Sequence, residues 1–256
     1  NRADLAPAGA VLLDTLLEGL GAEDLTLCDF TLREGLVLDY IRQNQQHIRT
    51  VERYPDVRRR SVIELGERCN FLASHAQQVA RMALEIFDAT RARHHLGAQE
   101  REWLEYGALL HDIGTHISYE RHPKHSYYLI RHGGLRGFEP EEIEIIGLVA
   151  RYHRQATPKK THVEFAALGD HARRVVRVLA AMVRLAEGLD RSHTEVVGRL
   201  TARSGRNGLT FRLTSKGNAD LELWAAARHA TALEEQLETK IRFELKTRTR
   251  ARGKGR

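Results

Sequence analysis

The sequence predicts a mainly α-helical protein with a small α/β segment at each end. From about residue 42 to residue 200, apolar residues recur every three or four positions, which is the period of amphipathic helices. Beyond residue 200, LTFRLT alternates with a period of two, which predicts a strand, and IRFEL predicts a further strand. Between them, DLELWAA could begin as a strand before a helix that runs to about Thr239. These patterns predict a helical domain over residues 42–200 and a small α/β domain over residues 201–245.

The N-terminal segment combines a helix with a strand. ADLAPAGAVLLDTLLEGL has the pattern of an amphipathic helix, a turn is expected at Gly21, and a short strand is predicted over residues 25–28. A lone helix and strand cannot bury their apolar faces without neighbours. We therefore predict that residues 1–41 are the end of a larger α/β domain or pack on the helical domain after them.

The composition is that of a globular protein. Apolar residues make up 42% of the 256 residues and charged residues 29%, and no apolar run approaches the roughly 20 residues that a membrane span needs. Two cysteines, Cys28 and Cys69, are too few for a disulfide framework, and no signal sequence opens the chain. We expect a cytoplasmic protein without a membrane partner.

The net charge of +6 comes from the C-terminus. Residues 246–256 (KTRTRARGKGR) contain six Lys or Arg and no acid, which leaves 34 basic and 34 acidic residues in the rest of the chain. Such a Gly/Arg/Lys segment predicts a disordered tail. Nucleic acid is therefore expected to bind only non-specifically, through this tail.

Histidine and aspartate recur on the apolar stripes of the predicted helices. In FLASHAQQVARMALEIF the stripe contains Leu72, His75, Val79, Met82 and Ile86. QEREWLEYGALLHDIG places His111 and Asp112 in the last turn of the next helix, with Gly114 as its stop.

Three further helices continue this pattern. PKHSYYLIRHGG, which begins at Pro123, carries His125 on one side together with Leu129 and His132. PEEIEIIGLVARYHR leads to His153, and VVRVLAAMVRLAEGLDRS places Asp190 on the face of Val183 and Ala186. Five predicted helices thus each deliver a His or Asp to an apolar stripe.

These residue types suit a divalent metal that activates water for phosphate chemistry, because such ions take imidazole nitrogens and carboxylate oxygens. The order His, His-Asp, Asp in a helical setting resembles the HD superfamily of metal-dependent phosphohydrolases. The resemblance implies that Mn, Mg, Fe or Zn is held by His75, His111, Asp112 and Asp190, with His111 and Asp112 at the catalytic centre. It also implies that His125 and His153 could hold a second ion.

A structural interpretation stays open beside this one. A single buried His is more often a core residue than a ligand, and a buried Asp often pairs with Arg, as Asp190 could with Arg191. Two acids and two imidazoles buried in one core without a cation would be costly, however. We therefore favour metal binding.

Basic residues near these motifs could bind phosphate. Arg forks match phosphate oxygens in a bidentate manner, and Lys offers a point charge. The candidates are Arg151 and Arg154 beside His153, and Lys124 beside His125. The alternative for each is a solvated helix surface.

A closer resemblance covers about residues 3–245. Six segments carry this resemblance, and they occur in the order TLREGLVLDYI, SHAQQVA, LLHDIG, HPKHSYYLI, RYHR and RLAEGLDRS. Together they resemble the C-terminal half of the exopolyphosphatase/guanosine pentaphosphate phosphatase (Ppx/GppA) family. GLTFRLTSKGNADLELWAAARHATALEEQLETKIRFEL resembles the small C-terminal segment of some members. The family begins with two actin-like (ASKHA) domains, and the resemblance implies that residues 1–41 end the second of them. The Gly-rich phosphate loops and catalytic Glu of the first actin-like domain are not in this sequence.

The resemblance implies two functions that the sequence leaves open. The first is a metal-dependent phosphohydrolase module acting on polyphosphate, pppGpp or another nucleotide. The second is a non-catalytic module that binds polyphosphate and dimerises, with a vestigial His/Asp cluster. Either function implies a phosphorylated partner and a homodimer.

Overall fold

The structure is a computed structural model that describes residues 5–24, 31–43, 53–205 and 208–246. It separates into two compact units, Asn1–Glu52 and Arg53–Arg256. The described part is mainly helical with a small sheet near the C-terminus, which confirms the predicted mainly α class. None of the described helices has the length and apolar content that crossing a membrane would require.

The first unit contains two helices, α1 (Ala6–Leu20) and α2 (Leu32–Gln43). Helix α1 ends where predicted, at Gly21, whose φ of 61° lies in the left-handed region that glycine adopts without steric cost. No residue of α1 or α2 is buried, and four of the five leucines of α1 are exposed. The strand predicted over residues 25–28 lies outside the described residues.

The second unit begins with helices that include the five predicted from the sequence and two that were not predicted, Val57–Arg68 and Val163–Ala166. Its helical elements are α3 (Val57–Arg68), α4 (Ala73–His94), α5 (Ala98–Leu109), a 3-10 turn (Ile113–His116), α6 (His122–His132), α7 (Pro140–Arg151), α8 (Val163–Ala166) and α9 (Asp170–Gly188). Helices α4, α5, α7 and α9 pack on one another around the core. Helix α9 is central, since all of its apolar residues from Val175 to Ala186 are buried.

The predicted stripe of α4 is correct except at its first residue. Val79, Met82 and Ile86 are fully buried, but Leu72 is 55% exposed. Leu72 is the residue before the helix, where φ and ψ are not helical, and its side chain therefore leaves the stripe.

A three-stranded sheet comes next, with β1 (Val197–Gly205), β2 (Gly208–Ser215) and β3 (Ile241–Lys246) in the order β1-β2-β3. Strand β1 is antiparallel to β2, and β3 is parallel to β2 after a crossover through α10 (Asp220–Leu237). Helix α10 packs on α9, and β1 packs on α4. The sheet is therefore attached to the helical core.

Two features of this segment differ from the prediction. The strand proposed for DLELWAA is wrong, because residues 220–237 form one helix with Glu222, Ala226 and Leu233 buried at helical spacing. Strand β1 was not predicted, since a register shift between Val197 and Leu200 breaks the alternation of its side chains.

Candidate metal centre

The His111-Asp112 pair lies just beyond the end of a helix. Helix α5 ends at Leu109, and the chain passes through His111 and Asp112 into the 3-10 turn. Successive residues in a helix point about 100° apart. The end of α5 at this point allows the two side chains to face a common centre.

A close backbone approach fixes this turn against helix α6. A Cβ atom at Gly114 would lie 2.1 Å from the His122 carbonyl oxygen and 2.4 Å from the Ser126 nitrogen, so only glycine fits. The Ser126 hydroxyl donates to the His111 carbonyl at 2.6 Å and accepts from the Gly114 amide at 2.9 Å. The beginning of α6 is thereby held beside the His-Asp turn.

Asp112 is at the centre of a group of histidines. Its Oδ1 lies 3.1 Å from Nε2 of His122 and 3.3 Å from Nε2 of His153, and its Oδ2 lies 3.6 Å from Nε2 of His111. The Asp112 side chain is 32% exposed, whereas the histidines are buried. Solvent or a ligand can therefore reach the group at the carboxylate.

The four buried histidines of this group share one orientation. In each, Nδ1 lies within hydrogen-bonding distance of an oxygen that can only accept. The pairs are His75 with Asp190 Oδ2 at 2.7 Å, His111 with the Ala108 carbonyl at 2.7 Å, His122 with the Tyr119 carbonyl at 2.9 Å and His153 with the Ala150 carbonyl at 2.6 Å. Each Nδ1 therefore carries a proton and donates it, which makes Nε2 the ring nitrogen that can bind a ligand when the imidazole is neutral. This is the arrangement in which histidine binds metals.

The unpaired atoms of the site fit a cation. Nε2 of His75 and Nε2 of His111 are buried and have no hydrogen-bond partner among the described residues. Two sets of potential ligand atoms, each within 4.8 Å of one another, are present: His75, His111 and Asp112, and Asp112, His122 and His153. Imidazole nitrogens with a carboxylate suit Zn, Fe and Mn. Because both sets contain Asp112, this carboxylate could bridge two ions.

The pKa shifts favour the ligand forms of two residues. Burial lowers the pKa of the His111 imidazole to about 4, although the Asp112 carboxylate acts against this change. Burial alone would raise the pKa of the Asp112 carboxyl, but the surrounding histidines outweigh it and the pKa lies well below its usual range. At neutral pH His111 is neutral and Asp112 is ionised, as metal ligands must be.

Asp190 reaches the group through His75. Its Oδ2 accepts from His75, and its Oδ1 accepts from the Glu195 amide at 2.9 Å. Asp190 belongs to neither set of ligand atoms. In this structure it orients His75, as carboxylates beside metal-binding histidines commonly do.

His193 is a neighbour of the site that sequence reasoning missed. Its ring stacks on that of His75, with centroids 3.7 Å apart and planes 14° apart. Its φ of 57° lies in the left-handed region, which is uncommon for a histidine. A turn of this kind has no periodic signal in the sequence, so only its position three residues after Asp190 could have drawn notice.

Helix α6 contributes His122 to the group. His125, which the sequence suggested for a second ion, is half-buried and belongs to neither set of ligand atoms. The buried residues of α6 include His122, Ser126 and Ile130, at a spacing of four. That stripe would have identified His122, but the predicted helix began one residue later, at Pro123.

The predicted phosphate-binding residues differ in their surroundings. Arg151 is paired with Glu164 at 3.0 Å and lies over the Tyr127 ring. Arg154 is half-buried with Nη1 3.4 Å from the hydroxyl of Tyr119, whose ring lies beside His122. Lys124 is exposed. Arg154 is thus the candidate with a contact next to the histidine group.

Fold and site together define a helical protein with a His/Asp centre of the kind that holds divalent metals. Residues 57–236 match the sequence profile of the family described as Ppx/GppA phosphatase, domain III. This match covers more than half of the 256 residues, and the chain therefore belongs to the Ppx/GppA phosphatase family.

Similar curated proteins carry the name guanosine-5'-triphosphate,3'-diphosphate pyrophosphatase. The protein of Photobacterium profundum is 30% identical over 74% of this chain and 36% of its own length. That of Aeromonas hydrophila is 30% identical over 84% of this chain and 42% of its own length, and that of Vibrio campbellii is 26% identical over 93% and 44%. The chain thus spans about two fifths of the length of these relatives.

Proposed function

We propose that the histidine group around Asp112 binds one or two divalent ions and that this chain is a phosphohydrolase module. The observation that carries the proposal is the common orientation of the four histidines, whose Nδ1 atoms are all tied to acceptors while their Nε2 atoms converge near Asp112. An unpaired buried Nε2 would destabilise a purely structural histidine, since such an atom loses its hydration without compensation.

The residues of the site have separate roles in this proposal. The metal is held by His75, His111, His122, His153 and Asp112. Asp190 keeps His75 in the binding orientation. A divalent ion at such a centre supplies Lewis-acid activation of water and of a phosphoryl oxygen. Arg154, with Lys124 nearer the solvent, neutralises phosphate charge at the open side of Asp112.

The substrates are inferred from the family and from the names of the relatives. The proposed substrates are phosphoanhydrides and phosphate esters, namely pppGpp, polyphosphate or a related nucleotide. We also propose that residues 42–200 form an HD-type domain, that residues 1–41 end an actin-like domain, and that the protein is a homodimer. Sedimentation equilibrium of the purified chain tests the last of these.

The decisive experiment compares Asp112→Asn with Asp88→Asn. Asp88 is an exposed aspartate on α4 that pairs with Arg101, and it serves as the matched control. Metal content is measured by elemental analysis, and phosphate release is measured on pppGpp, polyphosphate and GTP. We expect the Asp112 variant to lose metal and at least 100-fold in turnover, while the Asp88 variant resembles the wild type.

Two outcomes would contradict the proposal. Unchanged turnover in the Asp112 variant would remove the histidine group from the reaction. A metal-free wild-type chain that binds polyphosphate, stays folded in chelator and releases no phosphate would favour the non-catalytic polyphosphate-binding module instead.

A further inference from the structure

A second candidate site lies between α9, α10 and the loop after α7. It is a cavity of about 220 Å³ lined by residues that include Tyr152, Thr157, Arg177, Arg184 and Glu235. None of the candidate metal ligands lines it. The features of this cavity are therefore independent of the proposed metal centre.

Arg184 brings a cation into the cavity without a carboxylate partner. It is half-buried, and its Nη2 donates to the carbonyls of Tyr152, at 3.0 Å, and Ala156. Its Nε and Nη1 have no hydrogen-bond partner, and it forms no ion pair, among the described residues. Burial lowers the pKa of the Arg184 guanidinium, with no carboxylate to offset the change.

Arg177 adds a second cation two turns earlier on α9. Its guanidinium carbon lies 5.1 Å from the centre of the Phe165 ring, and it too forms no hydrogen bond or ion pair within the described ranges. Residues seven apart lie on the same helix face, about 10 Å apart along the axis. Two guanidinium groups with unused donors therefore line the same cavity.

A capping role for Arg184 explains only part of this arrangement. Its contact with the Tyr152 carbonyl satisfies an acceptor at the C-terminus of α7, where cations are favoured. That role uses Nη2 alone and does not involve Arg177. The cavity and the remaining donors of both guanidinium groups are left without a structural use.

We propose that this cavity is a binding site for a small phosphate compound, with Arg177 and Arg184 as its anion-binding residues. Guanidinium forks match phosphate oxygens, and Thr157 adds a hydroxyl to the lining. The volume corresponds to about seven waters in the liquid, which accommodates a diphosphate but is below the roughly 300 Å³ typical of pockets for larger ligands. Glu235, which also lines the cavity, weakens the attraction for an anion.

The test is calorimetric titration of the full chain with inorganic pyrophosphate. We expect saturable binding that Arg177→Gln weakens at least tenfold, and that Glu235→Gln tightens severalfold because a repulsive charge is removed. Arg228→Gln removes an exposed charge from α10 that does not line the cavity, and it should leave the dissociation constant within twofold. Because Arg184 also contacts backbone carbonyls, Arg177 and Glu235 are the variants that decide, with circular dichroism as the check on folding.

The Asp112→Asn variant separates this site from the metal centre. We expect it to bind pyrophosphate as the wild type does, even if it has lost metal and activity. Absence of saturable binding, or equal affinity of wild type and Arg177→Gln, would overturn the proposal. Binding that is lost in Asp112→Asn but kept in Arg177→Gln would place the anion at the histidine group and would overturn it as well.

Discussion

Four histidine side chains around one carboxylate are held by contacts made on the far side of each ring. Three of these contacts use a backbone carbonyl three residues earlier in the chain, and the fourth uses Asp190. The backbone contacts are local: the last turns of α5 and α7 orient the rings of His111 and His153, and the turn before α6 orients the ring of His122. A metal ion would then meet lone pairs that are already positioned, which reduces the ordering cost of binding.

The role of His122 can be tested against that of His125 on the same helix. We predict that His122→Ala lowers metal affinity by at least the roughly 10- to 100-fold typical of losing an outer-shell partner, since it removes a ligand itself, whereas His125→Ala has little effect. Zinc or manganese binding is measured by competition with a chromophoric chelator. An equal loss of metal affinity in both variants would contradict the assignment of His122. A loss of metal affinity in His125→Ala alone would favour His125, the ligand that the sequence suggested.

Gly114 tests how closely the site depends on the approach of α6. We predict that Gly114→Ala destabilises the fold by about 2 kcal/mol and weakens metal binding, because its Cβ would overlap the His122 carbonyl. Gly217→Ala is the control, since a Cβ there would meet only Val196 at an ordinary 3.6 Å. Urea unfolding of both variants checks the difference, and equal midpoints would show that α6 can move away at little cost.

At the scale of single elements, helix α7 is fixed at its N-terminus by a buried carboxylate. Glu142 accepts hydrogen bonds from the Arg58 guanidinium at 2.9 and 3.0 Å, from the Trp103 indole at 2.9 Å and from the Glu139 amide at 2.8 Å. The last contact completes a capping box at the start of α7. The network joins α3, α5 and α7, and α7 leads at its other end to His153.

This network predicts a pH-dependent contribution to stability. Hydrogen bonds from Arg58 are the main cause that lowers the pKa of Glu142 from 4.5 to about 2. Its contribution is therefore complete above pH 4.5 and is lost as the pH falls through about 2, and linkage gives it on the order of 3 kcal/mol at neutral pH. We predict that Glu142→Gln loses roughly this amount of unfolding free energy at pH 7 and progressively less between pH 4.5 and 2.

The neighbouring Glu141 provides the control for that measurement. It is exposed on the same helix turn, and Glu141→Gln should change the unfolding free energy by less than about 0.5 kcal/mol. Denaturant unfolding at several pH values compares both variants with the wild type. A difference between wild type and Glu142→Gln that does not shrink at acidic pH would show that the charge is not its source.

At the scale of the second unit, the histidine group connects distant parts of the chain. Its members come from α4, from the turn after α5, from the start of α6 and from the residues after α7, and Asp190 lies just after α9. An ion at this point would stabilise the contacts among these elements, because it binds the folded chain and not the separated segments.

Metal removal should therefore lower the thermal stability of the whole unit. At a free metal concentration 100 times the dissociation constant, binding adds about 2.7 kcal/mol to the unfolding free energy. We predict that chelator lowers the Tm of the wild type by several degrees, that added Zn²⁺ or Mn²⁺ restores it, and that His122→Ala shows a much smaller change. Scanning calorimetry measures these shifts, and a Tm insensitive to chelator and metal in the wild type would count against a bound ion.

Much of this architecture could be predicted from local patterns. The stripe of α4 beyond Leu72 and the glycine at the end of α1 are properties of consecutive residues, and the structure confirms them. His75, His111, Asp112 and His153 could be selected for the same reason. Each is marked by its position on, or directly after, an apolar helical stripe. The predicted stop of α5 at Gly114 is wrong, since this helix ends at Leu109, before the His-Asp pair.

Only the tertiary structure decided which side chains meet. His75 and Asp190 are 115 positions apart, and no local signal indicates their contact. The pairing of Arg151 with Glu164 likewise depends on how α7 and α8 pack. His122 enters the group because Gly114 lets α6 approach, and Arg177 and Arg184 face a cavity that exists only once α10 lies on α9. Sequence periodicity determines which face of a helix is buried, whereas the partner of that face depends on long-range packing that no single segment encodes.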